Sequence, residues 1–121
     1  MKVLIDTNMF LVPEKFKADI FSQLKGFGYT KIFTLSRVLE ELKKISEKRG
    51  KNAKAAKIGL ILIEKYCVEI LESSGHVDRS LFNLSEEYAI CTQDKALIKQ
   101  LVENRRRVLF LKQKKYLVEE F

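Results

Sequence analysis

Two aspartates in this chain stand where chemistry can be done. Asp6 closes the apolar run Lys2-Val3-Leu4-Ile5 and is followed by Thr7 and Asn8. A β-type run that ends at once in a carboxylate, a hydroxyl and an amide puts a buried strand directly under a polar site. Asp94 follows Tyr88-Ala89-Ile90-Cys91-Thr92 and Gln93, which is the same context late in the chain. In open parallel α/β sheets, ligands bind at the carboxyl ends of the strands. Two strand-end aspartates on one small protein point to a divalent metal site, and such a site points to hydrolysis.

Two further acidic positions join them. Glu41 lies one turn into the helix that follows a second strand, and Asp78 opens a helix after a Gly-containing loop. Each is weak alone. Asp78 and Asp94 both suit helix caps. Glu41 has Glu40 beside it, so one of the two must face solvent, and Glu41 precedes Leu42 of the inward stripe. Four carboxylates gathered together repel, and burial makes that worse; either their pKa values rise or a cation neutralises them. Mg²⁺ or Mn²⁺ is the natural cation, because it takes oxygen ligands, keeps several waters and needs few carboxylates. Such a site can orient a water and hold a phosphodiester for attack. No Ser, His or Cys dyad competes. His76 is the sole His and reads as a loop residue. Cys67 and Cys91 both sit in apolar runs and read as buried, reduced thiols; two Cys and one His do not make a zinc site.

The elements that must carry these residues follow from periodicity. Strands are expected at 2–6, 31–35, 67–72, 88–92 and 107–111. Helices are expected at 14–25, 37–48, 52–66, 77–86 and 94–104, with Pro13 at one helix start, Ser36 as an N-cap, and Gly26, Gly28 and Gly50 as stops. Helix 52–66 is apolar almost all round in its last two turns, with Ile58, Ile61 and Leu62 added to its inward stripe, so it should be buried by more than its own sheet. The strict strand–helix alternation predicts an α/β fold with a mostly parallel sheet, covered on both faces and joined by right-handed crossovers. Residues 1–121 are expected to form a single domain.

Composition narrows the function. The chain is 46% hydrophobic and 32% charged, enough to bury a core and stay dissolved. No apolar stretch is long enough to span a membrane, and a signal peptide's cleavage region is missing, so a cytoplasmic protein is expected. The formal charge is +7. Residues 43–57 hold seven Lys/Arg against Glu47 alone, and residues 99–115 hold seven more against Glu103. Two dense basic zones favour a polyanionic partner. The candidates for contacting it are Lys48, Arg49, Lys51, Lys54, Arg105, Arg106, Lys114 and Lys115.

Taken together, Val3-Leu4-Ile5-Asp6-Thr7-Asn8, Val38-Leu39-Glu40-Glu41-Leu42, His76-Val77-Asp78 and Cys91-Thr92-Gln93-Asp94-Lys95-Ala96-Leu97 resemble the PIN-domain family of metal-dependent ribonucleases. The opening Asp-Thr-Asn and the late Thr-x-Asp are the most specific parts, and the resemblance covers nearly the whole chain. Gly50-Lys51-Asn52-Ala53-Lys54-Ala55-Ala56 is similar to stand-alone archaeal members and to ribosomal-RNA processing nucleases. The resemblance implies a three-layer α/β/α fold with about five strands, one or two Mg²⁺ or Mn²⁺ ions, and endonucleolytic cleavage of RNA. Carried over by position, Asp6, Glu41, Asp78 and Asp94 would be the catalytic, metal-binding carboxylates, and Thr7, Asn8 and Thr92 would be supporting polar groups. The family's Glu-Leu step favours Glu41 over Glu40. Gln93 departs from the family's usual small polar residue but leaves Asp94 in place. Family members often pair as homodimers, and as toxins they are silenced by a small antitoxin; a ribosome-assembly partner is the equivalent in RNA processing.

Other readings carry less. A PIN-like fold with a poor metal site would be an RNA- or protein-binding module in a larger RNA-processing complex. Haloacid-dehalogenase-type phosphatases need Asp-x-Asp after the first strand, and Asn8 occupies the second place. Receiver domains need an acidic pair there and a mid-chain acceptor Asp, and neither is present. No Gly-rich phosphate loop is present either.

Overall fold

A computed structural model describes residues 1–121. The chain runs β1 (Lys2–Ile5), a 3-10 turn (Thr7–Leu11), α1 (Val12–Phe16), α2 (Ile20–Gly26), β2 (Lys31–Leu35), α3 (Ser36–Ser46), α4 (Lys51–Lys65) and β3 (Glu69–Leu71). It continues through α5 (Val77–Leu84), β4 (Ala89–Cys91), α6 (Lys95–Glu103), β5 (Val108–Lys112) and β6 (Tyr116–Glu120). One sheet holds all the strands in the order β3-β2-β1-β4-β5-β6. The first five strands are parallel, and β6 returns antiparallel on β5. The connections grow outward from β1 in one direction through β2 and β3, then cross back to β4 and grow the other way. With right-handed crossovers, this reversal puts helices on both faces. It also makes the β1–β4 junction the topological switch point, where the strand ends open a crevice.

The central strands β1, β4 and β5 are buried because their sequences leave them almost no wet face. Val3, Leu4 and Ile5 of β1, Ile90 and Cys91 of β4, and Val108 and Leu109 of β5 have no solvent exposure. Continuous apolar runs of this kind are what a parallel sheet covered on both sides requires. Fully burying a Leu, Ile or Val side chain contributes about 1.5–3 kcal/mol. The central strands, which carry the candidate site, are therefore the most firmly held part of the molecule.

Several expectations need correction. The helix expected at 14–25 is two helices. Lys17 turns into the left-handed region (φ 54°), and Asp19 starts α2 by accepting a hydrogen bond from Ser22 N at 3.1 Å. Ser36 is the first residue of α3 and not its cap; its hydroxyl accepts from Ser73 N at 2.9 Å, pinning the loop before α5. Cys67 is exposed in the turn between α4 and β3, at φ 52°, and only Cys91 is buried. Burial pushes the Cys91 thiol up, with the nearby Asp6 carboxylate adding to it. The end of α4 is not fully covered either, since Ile61 is 59% exposed. The sixth strand was not expected. Its hairpin turn is closed by Lys115 N donating to Lys112 O at 3.0 Å, with Gln113 and Lys114 both left-handed (φ 54° and 55°).

One glycine sets how closely the helices seat on the site. A Cβ at Gly59 of α4 would lie 2.7 Å from Phe10 O and 3.1 Å from Phe10 Cβ. Glycine thus lets α4 press onto the 3-10 turn that directly follows Asp6.

Candidate active site

Register brings the two strand-end aspartates together. Ile5 of β1 pairs with Cys91 of β4, and Asp6 N donates to Cys91 O at 2.9 Å. Asp6 and Thr92 therefore leave the sheet side by side at the switch point. Both oxygens of Asp6 are engaged: Oδ1 accepts from Thr7 N at 2.7 Å, and Oδ2 accepts from Thr92 Oγ1 at 2.7 Å. The Thr92 hydroxyl in turn accepts from Asp94 N at 3.1 Å. On the other side, Thr7 Oγ1 donates to Glu41 Oε2 at 2.9 Å. A continuous chain of hydrogen bonds thus runs from Glu41 through Thr7, Asp6 and Thr92 to Asp94. The two threonines fix three acidic residues from three segments.

Asn8 ties the loops from below, its Oδ1 accepting from Gln93 N at 3.1 Å. Gln93 carries more structure than its sequence suggests. Its side-chain amide donates to Leu111 O and its carbonyl accepts from Leu111 N, so it stitches the β4 end to β5. Asp94 also caps α6, with Oδ1 accepting from Ala96 N at 3.0 Å and Leu97 N at 3.3 Å. Asp78 does not cap α5; it sits in the helix's first turn, and His76 is the residue before the helix.

Asp6, Thr7, Asn8, Glu41, Asp78 and Asp94 line one cleft of about 300 Å³. The structure thus brings together all four acidic residues singled out from the sequence. Glu40 is not among the lining residues; it faces Arg37 on the outer side of α3, at 3.9 Å. Asp6 is buried (5% exposed) and its carboxyl is pushed up to about 6. Burial is the main cause; the Asp78 and Glu41 charges add to it, and the Thr92 and Thr7 hydrogen bonds partly offset it. Asp78, at the rim, is pushed up as well, first by partial desolvation, then by Asp94 through both its charge and a hydrogen-bonding contact, and then by Glu41. Asp6 and Asp78 thus resist ionisation in this crowded cleft, and a cation bound there would relieve that cost. The donors are carboxylate oxygens alone, which suits a hard divalent cation such as Mg²⁺ or Mn²⁺. They do not close into a ready-made cage of three or more ligands. Mg²⁺ does not need one, because it keeps several waters and takes only one or two carboxylates.

The basic candidates divide between the two edges of the sheet. Lys114 and Lys115 follow β5 at the carboxyl edge, on the side of the cleft. Lys48 lies one turn beyond Ile45, a residue of the cleft wall, and Arg49 and Lys51 follow it. Lys54 is paired with Glu14 at 3.3 Å. Arg105 and Arg106 lie elsewhere. They line a separate hollow at the amino edge with Met1, Lys2 and Phe121. Arg106 is held there by Glu86 at 3.0 Å.

Comparison with known proteins agrees with this architecture. Residues 3–114 match the family described as PIN like domain. The chain belongs to that family. Among PIN relatives, it is 32% identical over 115 residues to Ribonuclease VapC9 of Archaeoglobus fulgidus, covering 93% of this chain and 84% of the relative. It is 29% identical over 123 residues to Ribonuclease VapC4 of Methanocaldococcus jannaschii, covering 95% and 93%. The PIN fold is also that of the PIN domain endonuclease Utp24, with a TM-score of 0.74 at 20% identity over 98% of this chain and 90% of that one. The three-layer α/β/α PIN architecture expected from the sequence is therefore present, with six strands in place of about five. No helix is long and apolar enough to cross a membrane.

Proposed function

We propose that this PIN protein is a metal-dependent endoribonuclease that hydrolyses RNA phosphodiester bonds, either as a toxin or in RNA processing. The observation that carries the reading is the convergence of Asp6, Glu41, Asp78 and Asp94 on one cleft at the switch point. Two relatives that match nearly the whole chain are named ribonucleases, which supports it. Asp6, Glu41, Asp78 and Asp94 would hold one or two Mg²⁺ or Mn²⁺ ions. Bound there, such an ion supplies a lowered water pKa and charge neutralisation at the phosphate.

The chain's own residues do the rest. Thr7 and Thr92 hold the Asp6 carboxylate in one orientation through short hydrogen bonds to both its oxygens. Thr7 also fixes Glu41, so the wall opposite Asp94 cannot swing away. Threonine hydroxyls placed this way orient metal ligands from behind, as partners of first ligands commonly do. Lys48, Arg49, Lys51, Lys114 and Lys115 would neutralise RNA phosphates along the approach to the cleft. The protein would act in the cytoplasm, under control of a small antitoxin or within a ribosome-assembly complex. It would work as a homodimer through the apolar face of α4, where Ile61 lies exposed.

The test is an RNA-cleavage time course with Mg²⁺, Mn²⁺ and EDTA on wild type and Asp6→Asn side by side. Metal-dependent cleavage that disappears in the variant supports the reading. RNA binding without cleavage by the wild type, in either metal, would make the protein a PIN-like binding module.

A further inference from the structure

The wall formed by Glu41, Val77 and Asp78 has a second side. A larger cleft of about 510 Å³ abuts the carboxylate cleft across these three residues. Beyond the shared wall it is lined by His76, Arg79, Phe82 and Gln100. None of these four hydrogen-bonds to the carboxylates, and only His76 acts on one of them, Asp78, through its charge. His76, Arg79 and Gln100 are exposed, and their side chains stay outside the protein's hydrogen-bond network. An aromatic ring, an amide and two basic groups thus line one open cleft beside Glu41 and Asp78. The same set is what single-stranded RNA recognition uses: a stacking platform, a base-edge reader and phosphate contacts.

Helix geometry fixes how the two clefts relate. Asp78 and Phe82 are four residues apart on α5, so they share a face, about 6 Å apart along the axis. Gln100 comes from α6, which packs beside α5. A chain whose phosphate lies against the carboxylates therefore reaches Phe82 with the base of an adjoining nucleotide. The ring is held ready: Arg106, which does not line this cleft, lies over Phe82 with its guanidinium carbon 6.0 Å from the ring centroid. Glu86 anchors that arginine.

We propose that this second cleft is a nucleobase subsite for the single-stranded RNA nucleotide adjoining the scissile phosphate. Phe82 stacks on the base, Gln100 meets the base edge through its paired donor and acceptor, and Arg79 with His76 faces the neighbouring phosphate. The subsite rests on the ribonuclease reading above and assigns that reaction its specificity-determining residues.

The experiment maps cleavage ends on a mixed-sequence pool of short single-stranded RNAs for wild type, Phe82→Leu, Phe82→Tyr and Gln100→Ala. Affinity for the same RNAs is measured by fluorescence anisotropy at fixed salt, with each change placed in the Asp6→Asn background. Phe82→Leu keeps apolar bulk against the core but loses the stacking face, so binding weakens by roughly tenfold and KM rises with it. Phe82→Tyr keeps the ring and stays near the wild type. Gln100→Ala, at an exposed position, leaves affinity within about threefold and flattens the base preference beside the cut. Cleavage by all variants with the wild-type map and affinity overturns the subsite and leaves the nuclease standing. A wild type that cuts none of the pool in Mg²⁺ or Mn²⁺ overturns both.

Discussion

Asp6 should destabilise the metal-free fold, and removing its charge should make the protein stronger while it makes the enzyme inactive. The Asp6 carboxyl titrates near 6 in the folded chain, against an ordinary value of 3.8. At 1.36 kcal/mol per pH unit, the ionised group costs the fold about 3 kcal/mol at neutral pH. The sign follows from proton binding. Because the folded value lies above the unfolded one, the fold binds the proton more tightly. That stabilisation is complete below about 3.8 and is lost as pH rises through about 6. Asp6→Asn keeps the shape and the acceptor for Thr7 N but loses the charge. It also gives Thr92 Oγ1 an amide donor to accept from, where the wild type offers a carboxylate to donate to. Allowing for that exchange, the variant should be more stable than chelator-treated wild type by about 1–3 kcal/mol at pH 8, or roughly 4–12 °C in Tm. The gap should shrink as pH falls through 6 and nearly close by about pH 4. Thermal and urea unfolding of both proteins in EDTA, across that range, measure it. A variant less stable than the wild type at pH 8, or a gap that does not change with pH, would refute the account of Asp6 as a buried, repelled carboxylate. Adding Mn²⁺ should then stabilise only the wild type, because a ligand that binds the folded form alone shifts its stability by mass action.

Other perturbations test separate parts of the structure. Thr92→Val removes the donor to Asp6 Oδ2, the strongest influence holding the Asp6 carboxyl down. Cleavage should fall about 10- to 100-fold, and the acid limb of the pH–rate profile should move to higher pH; an unchanged profile would contradict the hydrogen-bond chain. Gly59→Ala forces a methyl to within 2.7 Å of Phe10 O and should cost about 1–3 kcal/mol in urea unfolding. Full stability in that variant would mean α4 does not seat on the 3-10 turn. Ile61→Lys should convert a dimer to a monomer in size-exclusion chromatography with light scattering; an unchanged mass would remove this face as the interface. A thiol reagent should modify Cys67 in the native protein and reach Cys91 only on unfolding. Two equally fast thiols would show that β4 is not sealed.

Legibility in the sequence tracked how local each signal was. The strands and their order of appearance were readable, because buried parallel strands are apolar without interruption, as in Val3-Leu4-Ile5 and Ala89-Ile90-Cys91. Asp6, Asp78 and Asp94 were readable because each follows a strand or opens a helix, and the parallel topology delivers such positions to one edge; Glu41, in the second turn of α3, stood out only by its place after the second strand. What the sequence hid depended on backbone choices with no composition cue. The turn before β6 uses Gln113 and Lys114 in the left-handed region, where Gly or Asn would have announced it. Lys17 breaks the first helix in the same way. Cys67 and Ile61 looked buried because their neighbours are apolar, yet exposure is a tertiary property. The cleft of His76, Arg79, Phe82 and Gln100 was invisible for a different reason: it joins α5 to α6, and no single segment contains it.

The charge distribution explains why the basic side chains cannot all serve one purpose. A chain of net charge +7 concentrates four carboxylates in a single cleft. On the ribonuclease reading, an RNA phosphate would meet repulsion there unless a cation neutralised the carboxylates, so cationic side chains useful to RNA would have to stand at the rim, on the same edge. Lys114 and Lys115 follow β5 on that edge, Lys48 lies one turn beyond the cleft-wall residue Ile45, and neither these nor Arg49 and Lys51 have an acidic partner within the chain. Arg106 and Arg107, on the far edge, are engaged with Glu86 at 3.0 Å and Glu119 at 3.8 Å. Exposed pairs of this kind add little stability, about 0–1 kcal/mol each. Their larger effect is to cancel charge where none is wanted. RNA that settled at the amino edge would lie a whole strand length from the carboxylates and escape cleavage. On the ribonuclease reading, pairing Arg106 and Arg107 while Lys48, Arg49, Lys51, Lys114 and Lys115 lack acidic partners would favour the polyanion's approach to the edge that carries the carboxylates.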